Sequence, residues 1–206
     1  MSTTLGRYSA LTLAAALTVA ACSKGENTAT RTDTAAGAVA ANTDTAHPAA
    51  APHSDWSDAQ ILGFASAANI GEIEEGKLAE KKATNPAVKA FARQLRTHHQ
   101  AMLDEGKSFG TKNNVVPDTT KDDVKDAVKD SHDEIKDLTD KKAGKDWDED
   151  FIDKQIDGHK KTLDKLNDLE KSATNADLKA MLTKAAGKVQ EHLTKAEDIK
   201  ENTLKS

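Results

Sequence analysis

Three ionisable residues interrupt otherwise apolar or small-residue stripes. Glu72 stands between Ala68 and Gly76, His159 between Ile156 and Leu163, and His192 between Val189 and Ala196. A fourth stripe, marked by Phe91, Leu95 and Met102, passes through His98 or His99, and periodicity leaves that choice open. Ionisable side chains are rarely buried in full unless they are paired or bound to a metal. One carboxylate and three imidazoles form a donor set for one first-row transition metal such as Zn, Fe or Cu, because imidazole suits all three and a carboxylate tolerates them. Without a metal, the same groups form a network in which Glu72 pairs with partly protonated histidines. The residues alone leave both readings open.

Other tempting patterns fail on chemistry. Gly71 to Leu78 is one residue short of a phosphate-binding loop: Leu78 stands where a magnesium-binding hydroxyl is needed, and three glutamates inside would repel phosphate. Asp146, Asp148 and Asp150 open like a calcium loop, but Phe151 replaces the required glycine and Asp157 the closing glutamate. No strand-turn-helix pattern presents a serine nucleophile.

Helices must carry the polar positions. Of 206 residues, 31% are charged and 3% aromatic, with a net charge of −5 and one cysteine. The acidic balance argues against a nucleic-acid partner, and a single cysteine excludes an internal disulfide or a Cys-rich zinc site. Ser57 and Gln60 form a capping box for a first helix ending near Thr84. Asn85-Pro86 then opens a second, with Asn as cap and Pro at the first position. After a break at Gly110–Pro117, a short, highly charged connecting helix keeps Val124, Val128, Ile135 and Leu138 in helical spacing. Asp146 and Glu149 suggest a capping box for the next helix, and Asn175 caps the last. Ala83-Thr84-Asn85 recurs as Ala173-Thr174-Asn175, so the chain reads as two helical hairpins. The expected fold is an all-α, up-down-up-down four-helix bundle with a short extra connecting helix and both hairpin turns at one end. Counting from those turns places the four polar positions within about one helical turn of one level.

The first residues carry an address. Arg7, the apolar run Leu11–Val19 and Ala20-Ala21 make a signal peptide over residues 1–21, too short in its apolar core for a permanent span. Val19-Ala20-Ala21-Cys22 resembles a bacterial lipobox, which implies cleavage before Cys22, acylation of Cys22 and anchoring in a lipid bilayer. Ser23 rather than Asp after the cysteine resembles the sorting signal for the outer membrane, with the protein facing the periplasm. Residues 22–54 are an Ala/Thr-rich stretch whose only aliphatic residue larger than alanine is Val39, expected to be a disordered tether. The bundle domain takes residues 55–206.

Glu72-Ile73-Glu74-Glu75-Gly76-Lys77-Leu78-Ala79, Val88-Lys89-Ala90-Phe91-Ala92 leading to His99, Trp147-Asp148 leading to His159, and Glu191-His192-Leu193 together resemble a bacterial envelope family, the domain of unknown function four-one-four-two, considered ferritin-like. The resemblance selects His99 over His98. It implies a ferritin-like bundle without an established activity. The Glu-x-x-His pairs of ferritin di-iron sites are missing, since Arg96, Ile156 and Val189 stand three residues before His99, His159 and His192. The expectation is therefore a membrane-anchored lipoprotein with a binding or protective role in the envelope and a metal site at Glu72, His99, His159 and His192. The alternatives are a metal-dependent redox enzyme and a metal-free structural or interaction bundle.

Overall fold

The computed structural model describes residues 55–205; the leader, Cys22 and the tether to residue 54 lie outside the described residues. Five α-helices follow in order: α1 (Asp58–Lys82), α2 (Pro86–Asn113), α3 (Asp122–Asp140), α4 (Lys145–Ser172) and α5 (Ala176–Ile199), the last running into a π-helical turn at Lys200–Leu204. Among the described residues there is no strand, and the protein is an all-α helical bundle. Ser57 and Gln60 form the expected box on α1, and Asn85 and Asn175 cap α2 and α5 by accepting from backbone N–H groups two residues on. The start of α4 corrects the sequence reading. Its N-cap is Gly144, not Asp146, at a φ of 150° that side chains avoid, and no side chain caps the helix.

Asp148 has a different task. Its buried carboxylate accepts from the backbone N–H groups of Thr84 and Asn85 at 3.0 and 2.8 Å and from the Thr84 hydroxyl, tying the start of α4 to the α1–α2 turn. Asp58, at the start of α1, accepts from Thr174 and Asn175 in the same way at 2.8 and 3.1 Å. The two clamps obey one rule: each residue of the second hairpin follows its counterpart by 90 positions, as Asp148 follows Asp58 and Thr174 follows Thr84.

These ties fix the topology and correct a second expectation. The α1–α2 turn meets the start of α4, whereas the α4–α5 turn meets the start of α1, so the two turns lie at opposite ends. Lys112–Asp177 and Lys184–Glu105 set α2 and α5 antiparallel, as the clamps do for α1 and α4. The five helices alternate in direction along the chain. The four bundle helices α1, α2, α4 and α5 therefore run up, down, down and up. The cause is α3: its 19 residues span about 28 Å at 1.5 Å each, enough to return the chain the full height. A single long crossover is the connectivity of ferritin-like bundles.

The crossover lies hard against α1. Asp118 N–H donates to the Ala59 carbonyl at 2.8 Å, and a Cβ on Gly63 would sit 2.1 Å from the Asp118 carbonyl oxygen. Only glycine permits that approach. Two apolar clusters fill the bundle. One, around Phe91, Leu95, Trp147, Phe151 and Ile199, lies at the α1–α2 turn; the other, around Leu62, Phe64, Phe109, Leu178 and Leu182, lies at the α4–α5 turn.

Candidate metal centre

Between the two apolar clusters runs a polar layer drawn from all four bundle helices. α1 supplies Asn69, Glu72 and Glu75, α2 His98 and His99, α4 Gln155 and His159, and α5 His192. Glu75, His99, Gln155, His159 and His192 are all at most 5% exposed. The antiparallel pairing explains their common level. Asp148 is clamped to Thr84, so His159, eleven residues below Asp148, meets Glu72, twelve below Thr84. The sequence count reached the same level from turns placed at one end, which they are not.

One ring nitrogen from each of His99, His159 and His192 lies within 4.8 Å of those of the other two, and His159 Nε2 is 3.3 Å from His192 Nδ1. Hydrogen bonds determine which nitrogens carry lone pairs. Asn69 Nδ2 donates to the Ala65 carbonyl, so its Oδ1 faces His99 Nδ1 at 2.9 Å and accepts from it. His99 Nε2 is left with a free lone pair, buried and without a partner among the described residues. His159 Nδ1 donates to the carbonyl of Gln155 at 2.9 Å, which leaves its Nε2 lone pair facing His192. His192 Nε2 meets His98 Nδ1 at 2.9 Å, and its Nδ1 faces His159. In each imidazole one nitrogen is held from outside and the other turns toward its neighbours. Outer hydrogen bonds of this kind fix the orientation and tautomer of metal-ligating histidines.

Burial keeps the His99 and His192 rings neutral. Desolvation lowers the His192 pKa to about 3, with the neighbouring His159, His98 and Lys188 adding to the effect. The His99 pKa falls well below the usual histidine range, again first by burial and then by the other three histidines. Neutral imidazole is the form that binds a metal. The carboxyls move the other way. Burial raises Glu72, opposed by His159 and Gln155; burial, with Glu72 and Glu134 nearby, raises Glu75 further.

Glu72, placed with the ligands by its position in the sequence, occupies the outer layer in this geometry. Its Oε1 lies 3.7 Å from His159 Nδ1, on the side of the ring away from His192, and its side chain is 18% exposed. At that distance Glu72 makes no hydrogen bond to the ring, whose Nδ1–H goes to the Gln155 carbonyl, and its Oε2 is buried without a partner among the described residues. The structure brings His99, His159 and His192 together and leaves Cys22 outside the described residues. Sequence reasoning passed over Glu75, whose Oε2 accepts from Gln155 Nε2 at 2.8 Å, and also Gln155 and Asn69. A signal existed: Asn69 and Glu75 lie three residues either side of Glu72, and Gln155 lies four before His159, all on the same helix faces. His98 belongs to the site as well, half-buried beside His192.

The layer opens into a cavity of about 600 Å³ between the bundle and α3. Glu72, His99 and His159 form part of its wall, and Leu62, Met102 and Leu182 are among the apolar residues of the rest.

Fold and site together define an antiparallel helical bundle with one long crossover and a three-histidine layer opening on a cavity. The family follows from the sequence: residues 42–199 match the model of the domain of unknown function DUF4142, and the chain belongs to that family. No curated protein and no solved structure matches the chain.

Proposed function

We propose that this protein is a lipid-anchored protein of the bacterial envelope whose bundle binds one first-row transition metal ion through His99, His159 and His192. One observation carries the metal reading: three imidazoles converge while the far nitrogen of each is held by Asn69, the Gln155 carbonyl or His98. The separation of 3.3 Å between His159 Nε2 and His192 Nδ1 is long for a hydrogen bond. It matches the edge of a tetrahedron about an ion bonded to nitrogen at about 2.0–2.1 Å. His99 would close toward this pair on binding. The coordination position left free would face the cavity that His99 and His159 help to line. The Cys22 motif after an apolar leader supports the anchor, and Ser23 supports the outer membrane facing the periplasm.

A second reading has its own support. His98 Nδ1–H to His192 Nε2, His192 Nδ1–H to His159 Nε2, and His159 Nδ1–H to the Gln155 carbonyl form a directional chain that needs no ion. Elemental analysis of the full chain, purified without a metal-affinity tag, separates the two readings. The metal reading expects about one equivalent of Zn, Fe or Cu. It also expects a Tm that rises with added metal in the parent protein but not in His159→Ala, because an ion that binds the folded state stabilises it. Equal melting curves with and without excess metal at pH 7.5, together with a metal-free protein, would leave the hydrogen-bonded chain as the better account.

A further inference from the structure

We infer that the cavity beside the three-histidine layer binds a linear aliphatic polyamine, one terminal ammonium among Glu72, Glu75 and Glu134 and the chain running out along α3. The inference goes beyond the metal reading and needs no ion at the histidines. Charge is the first argument. Seven carboxylates and four lysines line the cavity. Lys165, Lys184 and Lys188 are already held by Asp123, Glu105 and Glu191. That leaves Glu72, Glu75, Asp126, Asp130 and Glu134, with Lys161 as the one lysine of the wall not so engaged. Lys154 lies near Glu75 and Glu134, and Lys161 near Glu134, but neither forms an ion pair with them. A concavity lined by one sign of charge draws in the other.

Hydrogen bonding is the second argument, and it holds whatever the charge. The buried polar atoms without a partner among the described residues are Glu72 Oε2, His99 Nε2, Gln155 Oε1 and Ser131 Oγ. Gln155 is 1% exposed, and its Nε2 donates to Glu75 Oε2 at 2.8 Å, so its free Oε1 belongs to the acidic pole. Ser131 brings its hydroxyl near Glu75 from α3. An amide oxygen, an imidazole lone pair and a carboxyl oxygen accept, and a hydroxyl accepts as well as donates. Their complement is a group with several donors and no acceptor, which describes a primary ammonium. Buried polar atoms left unmet are costly, and an ammonium that meets them also favours the ionised form of each carboxyl beside it.

Spacing selects the body. The carboxylates do not converge on a point as the imidazoles do: among the described residues no three of them bring oxygens within 4.8 Å of one another. They are strung out instead. Glu134, Asp130 and Asp126 follow at four-residue steps on α3, about 6 Å each along its axis. Successive nitrogens of a polyamine, joined by three or four methylenes, stand about 5–6 Å apart at ordinary bond lengths. Ala127 lines the cavity between Asp126 and Asp130, and Leu62 and Met102 are among the apolar wall residues available to the methylenes. The arrangement fits an extended cation better than a bare ion.

The experiment titrates the full chain by calorimetry at about 0.15 M salt, where loose charge attraction is screened. The probes are spermidine, putrescine, butylamine and Mg²⁺. Spermidine is expected to bind at least threefold more tightly than putrescine, and putrescine at least threefold more tightly than butylamine. Mg²⁺, with the same charge as putrescine, should bind at least tenfold more weakly than putrescine. Glu75→Gln and Glu134→Gln should each weaken all three amines at least fivefold. Asp126→Asn should weaken spermidine at least threefold and leave butylamine within twofold. Glu201→Gln, exposed and outside the cavity, should leave every affinity unchanged. Glu134 is half-buried, so Glu134→Gln decides the matter if Glu75→Gln does not fold. Absence of amine binding, Mg²⁺ bound as tightly as putrescine, affinity indifferent to the number of nitrogens, or unchanged affinity in Glu134→Gln each overturns the inference. None of these outcomes touches the metal reading, which elemental analysis decides.

Discussion

Asp58 and Asp148 make matching hydrogen bonds in different surroundings, and that difference sets their energies. Asp148 is 1% exposed, and its carboxylate serves two backbone N–H groups and the Thr84 hydroxyl at the α1–α2 turn. Asp148→Ala removes the acceptor of three partly buried donors at the edge of the apolar cluster around Trp147 and Phe151. An unsatisfied buried donor costs about 1–3 kcal/mol, and water entering the vacated space recovers part of that. A net loss of about 2–4 kcal/mol is expected. Asp58 serves the equivalent groups of Thr174 and Asn175, two of them at the surface, where water replaces the carboxylate. Asp58→Ala should cost about 1 kcal/mol, the scale of a lost exposed cap. Urea unfolding followed by circular dichroism measures both, and in thermal melts each kcal/mol lowers Tm by about 2–4 °C for a chain of this size. Losses within about 0.5 kcal/mol of each other would show that burial does not govern the clamps, and the reasoning fails.

Because the His192 pKa falls to about 3 on folding, the unfolded chain takes up its proton first as pH drops below about 6.5, and stability is lost in that direction. Between pH 7 and pH 5 the parent should lose about 2 kcal/mol more than His192→Asn, measured by urea unfolding at both pH values; equal losses would mean that His192 is not buried as a neutral ring. Gly158→Ala and Gly187→Ala, whose Cβ atoms meet nothing within 4 Å, should each stabilise by about 0.5–1 kcal/mol. Gly63→Ala, driven into the Asp118 carbonyl, should destabilise by about 1–3 kcal/mol or more, so all three changing stability in the same direction would contradict the packing. Cys22→Ser should release the protein from the membrane fraction or leave its precursor unprocessed, and a processed, membrane-bound variant would refute the anchor.

The helices were legible because their signals are local. Ser57 with Gln60, Asn85-Pro86 and Asn175 announce their starts within four residues, and stripes of three and four carry the polar positions inward. His159 and His192 were visible as breaks in those stripes. The direction of the second hairpin was not, because it depends on the length of α3 and on Asp148 reaching back 64 residues to Thr84. A capping motif at Asp146 and Glu149 was a false local signal. Gly144 opens the helix, and the aspartate that matters, Asp148, looks outward to another turn. Glu72 lies beside the His159 nitrogen that the Gln155 carbonyl already holds, a placement that depends on α4 and that no spacing on α1 announces.

The 90-residue correspondence between the hairpins extends into the polar layer, where it relates unlike residues. His159 corresponds to Asn69, His192 to Met102, and Val189 to His99. Asn69, His99, Met102, His159 and Val189 all line the cavity. Each imidazole thus has a twin of other chemistry: an amide that accepts from the histidine of the adjacent helix, a thioether and a valine. A duplicated frame with histidine at both members of each pair would offer six imidazoles and fill its own interior. This chain keeps three. Members of both sets line the cavity, so its imidazoles and their unlike twins are one set of positions occupied in two different ways.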